Sequence, residues 1–157
     1  MAERRIISAG TAAGAAWAVL VIWGVQRLDT PFLPPAMALP IAFFLPGLFI
    51  AAMIARLAQR RAIADGEPFA RGSAAEADQR VLGQTVEQLV LALAIWPFVA
   101  LVLGGAIVVA LGLSFVLMRG LSWIGYHYSP SLRSLGFAGT FCPTVFAGIW
   151  AVLVWFV

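Results

Sequence analysis

Charged residues divide the chain into four long apolar segments. No charge interrupts residues 6–26, 30–55, 88–118 or 134–157. A helix needs about 20 residues to cross the hydrocarbon core of a bilayer, which is about 30 Å thick. The first, second and fourth segments therefore each predict one membrane-spanning helix.

The third segment is too long for a single span. Its 31 residues (88–118) would form a helix of about 46 Å at 1.5 Å per residue. Pro97 lies inside it, and the pair Gly104-Gly105 follows. We therefore predict two spans, about 81–102 and 106–126, joined by a tight turn at the glycines. The alternative of one long tilted helix would leave Glu87 and Arg119 far outside the bilayer.

Composition places this five-helix chain among integral membrane proteins of the all-α class. Hydrophobic residues make up 62% of the chain and charged residues 11%, and the mean hydropathy is +0.97. These values lie outside the range of soluble domains. The net charge of +3 follows from the arginines of the loops, so we expect no nucleic-acid partner.

The arginines indicate an orientation, because loops rich in basic residues stay in the cytoplasm. With five spans and a cytoplasmic N-terminus, only Arg27 falls on the outer side. A four-span topology would separate Arg119 and Arg133 from the arginines of the 57–79 loop. The arginines that fall on the cytoplasmic side are Arg4, Arg5, Arg56, Arg60, Arg61, Arg71, Arg80, Arg119 and Arg133.

The first apolar segment has the form of a signal peptide, since MAERR precedes it. No small-x-small cleavage site follows Val25, where QRLDTPFLPP stands instead. An uncleaved anchor helix is the better interpretation. The loop at 57–79 is too short for a domain and has the composition of a surface connection.

The cysteine and histidine content limits the chemistry, because Cys142 is the only cysteine of the sequence and His127 is its only histidine. No His/Cys metal cluster and no internal disulfide can form, and we expect no metal. We interpret Cys142, beside Pro143, as a small buried hydrophobic residue. His127 is interpreted as an interfacial residue at a helix end.

A polar stripe begins the third predicted helix in RVLGQTVEQL. Arg80, Gln84 and Glu87 stand at positions i, i+4 and i+7, within about 60° of one another on a helix. Ionisable groups inside a membrane are rare and costly. Glu87 therefore either pins the bundle by pairing with an arginine of another helix or serves a function, and the spacing alone leaves both open.

A second stripe occurs in RGLSWIGYHYSPSLR, where Arg119, Ser122 and Tyr126 recur at i, i+3 and i+7. Arg133 follows after Ser129-Pro130 breaks the helix. Both stripes lie near the cytoplasmic end of their helices. Together they offer guanidiniums, a carboxylate, an amide and a phenol. These groups suit a small zwitterionic ligand with more than one carboxylate, since arginine binds carboxylates in a bidentate manner.

At RVLGQTVEQL and GYHYSPSLRSLGF, and in the separation between them, the sequence resembles the MAPEG family, the membrane-associated proteins in eicosanoid and glutathione metabolism. The resemblance implies a four-helix bundle at residues 36–157 that assembles as a homotrimer. It also implies that glutathione, as co-substrate, binds between adjacent subunits at the cytoplasmic side. Residues 1–35 would form an additional anchor helix and its connection.

The resemblance assigns roles to individual residues. Arg80 would bind a carboxylate of glutathione, and Glu87 would pair with the glutathione amine or with a clamping arginine. Tyr126 would hold the peptide near the thiol. Arg133 takes the place of the arginine that stabilises the glutathione thiolate.

Three further elements complete the implied site. Gln84 joins the glutathione-binding set, and Arg119 is either a lining residue or a helix-end arginine that extends to the membrane surface. The arginine of the family's first helix corresponds to one of a group at the end of the second predicted helix. That group is Arg56, Arg60 and Arg61.

The sequence departs from the family at three positions. The family usually has Asn where Gln84 stands. Some members have Arg at the position of Gly83 and an aromatic residue or His at the position of Ser122. These departures bear on ligand affinity and substrate choice more than on the fold.

The implied function is that of a membrane-bound glutathione transferase or peroxidase. It would activate the thiol for attack on a lipophilic electrophile or hydroperoxide arriving through the lipid. The alternatives are a catalytically silent scaffold with this fold and, less favoured, a small transport subunit. The all-Arg basic content and the cytoplasmic orientation favour a bacterial inner membrane over the endoplasmic reticulum.

Overall fold

The computed structural model describes residues 2–64 and 68–157, with side chains from Ser8 onward. These residues form five helices, and each of them is long and apolar enough to cross a membrane. The five-span, all-α prediction is confirmed. The helices are α1 (Ala2–Arg27), α2 (Pro35–Ile63), α3 (Ala74–Leu103), α4 (Gly105–Tyr128) and α5 (Pro130–Phe156).

The turn between α3 and α4 is a single residue, Gly104. Its φ of +97° lies in a region that side chains with a Cβ rarely adopt. The next residue, Gly105, is buried where a Cβ would meet the carbonyl oxygen of Leu33 and the side chain of Ala38. Glycine is therefore favoured at the two positions for different physical reasons, the backbone angle at Gly104 and the close packing at Gly105. The predicted tight turn at these glycines is confirmed. Pro97 stays inside α3.

A variant of the capping box starts α3, in which the second hydrogen bond involves the residue before the N-cap residue Ser73. The Ser73 hydroxyl accepts a hydrogen bond from the backbone N–H of Glu76 at 3.2 Å. The Glu76 carboxylate in turn accepts one from the N–H of Gly72 at 2.6 Å. Such reciprocal bonds satisfy backbone donors that a helix start leaves free. They fix the first turns of α3, which carry the charged residues discussed below.

Trp96 lies at the centre of the core and is fully buried. Its ring stacks on Phe43 of α2 at 4.9 Å between centroids and meets Phe115 of α4 edge-on at 6.2 Å. Its indole N–H donates to Thr144 of α5 at 3.3 Å. One side chain thus contacts the three neighbours of α3, and its polar atom has a partner, as buried indoles require.

The additional helix α1 packs mainly against α5 and more lightly against α4. Gly10 lies on Ser134, Gly14 lies on Ala138, and Ala18 clusters with Ala138 and Cys142. Both helices therefore present small residues every four positions, which allows two membrane helices to approach closely. The shared spacing also shows that α1 and α5 run parallel.

A polar contact adds to this packing. The Trp17 indole N–H donates to the Ser114 hydroxyl of α4 at 2.7 Å. The first helix is therefore docked on the bundle by specific contacts with α4 and α5.

Candidate functional site

The end of the bundle where α2 ends, α3 begins, α4 ends and α5 begins is called here the arginine-rich end. The ion pairs and ring contacts described below join these helix termini to one another. The predicted site residues lie at this end or up to about four helical turns inside it.

The structure brings Tyr126 and Arg133 together. The Arg133 guanidinium lies over the Tyr126 ring, 5.0 Å from its centroid, within the range of a cation–π contact. The break at Ser129, which has an extended φ of −157°, turns the chain so that α5 returns beside α4. A Cβ on Gly125 would meet the backbone of Arg133, so this glycine permits the close return.

The three residues of the α3 stripe face away from the interior of the single chain. Arg80 and Glu87 are exposed and Gln84 is partly exposed, whereas Val81 and Thr85 on the same helix are buried. Arg80 binds Glu76 of the preceding turn, with 2.8 Å from Nη2 to Oε1. Among the residues that the structure describes, no cation lies within ion-pair distance of Glu87.

Arg119 links the two stripes from inside the bundle. Its side chain is fully buried, and Nη2 donates to the Thr140 hydroxyl of α5 at 3.2 Å. Glu87 and Tyr126 are both close enough to interact with its charge. The alternative of a helix-end arginine that extends to the surface is therefore wrong.

Several buried polar atoms of α3 and α4 have no hydrogen-bond partner in the described part of the chain. They are Nε and Nη1 of Arg119, both amide atoms of Gln88 and the hydroxyl of Ser122. Gln88 precedes the Gly104 turn by about as many residues as Arg119 follows it, so the two lie at a similar depth in the α3–α4 hairpin. Buried polar groups are nearly always hydrogen-bonded in native proteins. These atoms are therefore suited to hydrogen bonds with water or with polar ligand atoms.

A second charged cluster surrounds Asp78 on the opposite side of α3. The carboxylate is fully buried, and the Nε atoms of Arg56 and Arg60 lie 2.9 Å and 3.1 Å from its Oδ2. The Trp123 indole donates to Oδ1 at 2.7 Å, and His127 Nε2 is 3.0 Å from the same oxygen. Because a carboxylate only accepts, the nitrogen of His127 donates. Asp78 thus ties α2 and α4 to α3.

This cluster holds functional candidates that the sequence interpretation missed. His127 lies at a helix end, as predicted, but its partner Asp78 was not singled out. A signal was present, because Asp78 begins a series of buried residues at helical spacing. A carboxylate on an apolar helix face requires partners. The series is Asp78, Val81, Thr85, Gln88, Ala92 and Trp96.

Arg60 belongs to this cluster, and Arg56 also lies over the Trp123 ring, 5.0 Å from its centroid. The other candidate for the first-helix arginine, Arg61, is exposed. Cys142 is buried against Ala18 and Ala138, which agrees with its interpretation as a small hydrophobic residue. Within the ranges described above, no group of histidine, cysteine and carboxylate side chains could hold a metal ion.

Comparison with known proteins gives a family and no individual relative. Neither a curated protein nor a solved structure matches the chain significantly. The family model of the MAPEG family matches residues 35–153. The match begins at the first residue of α2 and extends into α5, so it covers the four-helix part and leaves α1 outside it. The chain is an integral membrane protein that belongs to the MAPEG family.

Proposed function

We propose that the protein is a glutathione-dependent transferase or peroxidase that activates the glutathione thiol for attack on a lipophilic electrophile or hydroperoxide. The catalytic unit is the four-helix part, residues 36–157, assembled as a homotrimer. Residues 1–35 form an additional anchor. The arginine-rich end and the N-terminus face the cytoplasm, and the membrane is a bacterial inner membrane.

The observation that carries this proposal is the contact between Arg133 and Tyr126 beside an outward-facing polar stripe. In the single chain Arg80, Glu87 and Arg133 are all exposed, and Glu87 stands inside the predicted span 81–102. Charged side chains exposed to lipid are strongly unfavourable. Their position therefore suits a binding site at which an adjacent subunit shields the charges from lipid and a charged ligand binds to them.

The residues divide into those that bind the peptide and those that act on its thiol. Arg80 and Arg119 supply guanidiniums for the two carboxylates of glutathione, and Gln84 supplies an amide. Glu87 pairs with the glutathione amine. The unpartnered nitrogens of Arg119 support its role, because a carboxylate would satisfy them.

Arg133 and Tyr126 act at the sulfur. A free thiol has a pKa of about 8.5, and only its thiolate is strongly nucleophilic. The Arg133 charge favours loss of the thiol proton to water, because the anion gains a nearby opposite charge. Tyr126 holds the sulfur near that charge. The thiolate then attacks the electrophile, and the protein contributes position and electrostatic stabilisation.

The test is an ultraviolet difference spectrum of the thiolate, recorded while detergent-purified trimers are titrated with glutathione at about pH 7, well below the ordinary thiol pKa. The wild type is expected to show thiolate formation. Arg133→Leu is expected to bind glutathione without forming the thiolate. Glu87→Gln is expected to need more glutathione for the same signal.

Arg27→Leu is the matched control, because Arg27 is an exposed arginine at the end of α1 that lies opposite the arginine-rich end. Its titration is expected to follow that of the wild type. The proposal is overturned if intact wild-type trimers give no thiolate signal at millimolar glutathione. A catalytically silent scaffold would then be the better description.

A further inference from the structure

The first turn of α5, which carries Arg133, begins without a side-chain cap. The N-cap residue Ser129 makes no capping hydrogen bond to α5, and its hydroxyl oxygen lies 2.8 Å from that of Ser131 instead. A helix start has backbone N–H groups that the helix itself does not satisfy, and a side-chain cap normally stabilises it. The position of Arg133 therefore depends on the helices against which the first turns of α5 pack.

The helix α1 packs directly against this turn. Gly10 is buried, and a Cβ built on it would lie 2.9 Å from the Cβ of Ser134 and 3.1 Å from the backbone nitrogen of Leu135. Carbon atoms in favourable contact are about 3.5–4.0 Å apart, so a side chain at position 10 would push the two helices apart. Glycine thus allows α1 to contact the residue that directly follows Arg133.

The helix α4 holds the same turns of α5 from nearly the opposite side. A Cβ on Gly125 would lie 2.8 Å from the Cα of Arg133. Gly136, about one turn further along α5, lies against Ser122. At about 100° per residue, the α5 positions that contact α4 (133 and 136) and those that contact α1 (134 and 138) are centred about 150° apart. The start of α5 is therefore held between α4 and α1.

A hydrogen bond fixes α1 relative to α4 as well. The Trp17 indole N–H donates to the Ser114 hydroxyl at 2.7 Å, and Ser114 stands on the helix that carries Tyr126. About two helical turns before Trp17, Gly10 contacts the helix that carries Arg133. The helix α1 therefore bridges the two helices that bring the Arg133 guanidinium to 5.0 Å from the centroid of the Tyr126 ring.

The distance between Arg133 and a bound sulfur would determine how strongly the thiolate is favoured. At an effective dielectric constant of about 20, an increase in this distance from about 4 Å to about 5 Å lowers the ratio of thiolate to thiol about fourfold. The Arg133 side chain is exposed, so its position depends on the backbone of α5 and on the Tyr126 ring. A small movement of the first turn of α5 would therefore affect the chemistry.

We propose that α1 is a positioning element for thiol activation, in which the contact of Gly10 with the first turn of α5 holds Arg133 at its working distance from the sulfur. This role rests on the proposed function, and it belongs to a helix that lies outside the family match. In the described part of the chain, α1 does not pack against α3, which carries Arg80 and Glu87. Loosening α1 is therefore expected to weaken thiolate formation more than glutathione binding.

The test is a pH titration of the ultraviolet thiolate signal, recorded at several glutathione concentrations with detergent-purified full-length protein. In Gly10→Leu, the ratio of thiolate to thiol is expected to fall about fourfold. The glutathione concentration at half-saturation is expected to stay within about twofold of the wild type. Gly10→Ala is expected to lie between the two. Gly24→Leu is the matched control on the same helix, because a Cβ there would meet nothing within 4 Å.

Hydrogen exchange measured by mass spectrometry gives a second readout that needs no glutathione. The backbone amides of residues 131–137 are expected to exchange faster in Gly10→Leu than in the wild type or Gly24→Leu, because this segment opens more readily. Trp17→Phe removes the donor to Ser114 without adding bulk. It is expected to change the exchange and the thiolate ratio in the same direction, so the test remains decisive if Gly10→Leu does not fold.

The outcomes separate this role from the proposed function. A wild type without a thiolate signal would overturn the proposed function and the role of α1 with it. If the wild type forms the thiolate and Gly10→Leu gives the same titration and exchange as Gly24→Leu, the role of α1 is overturned and the proposed function stands. Equal losses of glutathione binding and of thiolate in Gly10→Leu would show general damage to the site and would also overturn the positioning role.

Discussion

At the scale of single residues, Arg119 has an environment that is poor for stability and good for binding. It is buried, it makes one hydrogen bond to Thr140, and its Nε and Nη1 have no partner in the described part of the chain. Replacement of a buried charge by an apolar side chain of similar volume is often neutral or stabilising. The Thr140 hydroxyl would not be orphaned, because the carbonyl oxygens of Gly136 and Phe137 also accept from it.

We therefore expect Arg119→Met to unfold at the same temperature as the wild type or above it, and to lose most of the thermal stabilisation by glutathione. Detergent-solubilised protein would be compared with and without glutathione by thermal unfolding. Arg27→Met is the control, because Arg27 is exposed at the other end of the molecule and contacts Trp23. A large drop in the unfolding temperature of Arg119→Met without ligand would show a structural role instead.

The sequence predicted the shared face of the α3 stripe, and it missed the buried carboxylate of Asp78 and its partners. Arg80, Gln84 and Glu87 follow from helical spacing alone, since they share one face of one helix. The partners of Asp78 come from α2 and α4, at separations of 22 residues for Arg56 and 49 for His127. Such contacts depend on how the helices pack, which local spacing does not determine.

At the scale of elements, the packing of α1 on α5 depends on small residues. A Cβ built on Gly14 would lie 2.7 Å from the backbone carbon of Ala138, so a larger side chain requires the helices to separate. The four-residue spacing of Gly10, Gly14 and Ala18 is visible in the sequence and could have predicted a packed face. It could not have identified α5 as the partner.

We expect Gly14→Leu to detach α1 from α5 and to destabilise the fold by about 1–3 kcal/mol, the usual cost of overpacking a close contact. The free energy of unfolding in detergent is the measurement. Gly24→Leu on the same helix is the matched control, since a Cβ there would meet nothing within 4 Å. Equal stabilities of the two variants would contradict the close packing described for α1.

Membrane-spanning helices were the most predictable elements, because lipid requires about 20 apolar residues for each span. Their ends were less predictable. The capping box extends α3 back to Ala74 and α2 runs on to Ile63, so both helices continue beyond the apolar segments. The charged clusters stand on these helical extensions.

At the scale of the whole molecule, the exposed charges of the two stripes indicate an assembly. We expect the purified protein to have three times the mass of the 16.7 kDa chain when the detergent contribution is subtracted. Analytical ultracentrifugation would measure it, with Arg71→Leu as a control for a charge change on the loop. A monomer that still binds glutathione would contradict the intersubunit site.

The one-residue connection at Gly104 also has a consequence for biogenesis. With no loop between them, α3 and α4 offer almost no hydrophilic chain to carry across the bilayer, and Gly104 is only partly exposed. We therefore expect the pair to enter the membrane as a helical hairpin, as one unit, during synthesis. Proteases added on the side of the membrane where Gly104 lies would find no cleavable segment there. A reporter domain inserted at Gly104 would need its own translocation signal to cross the bilayer.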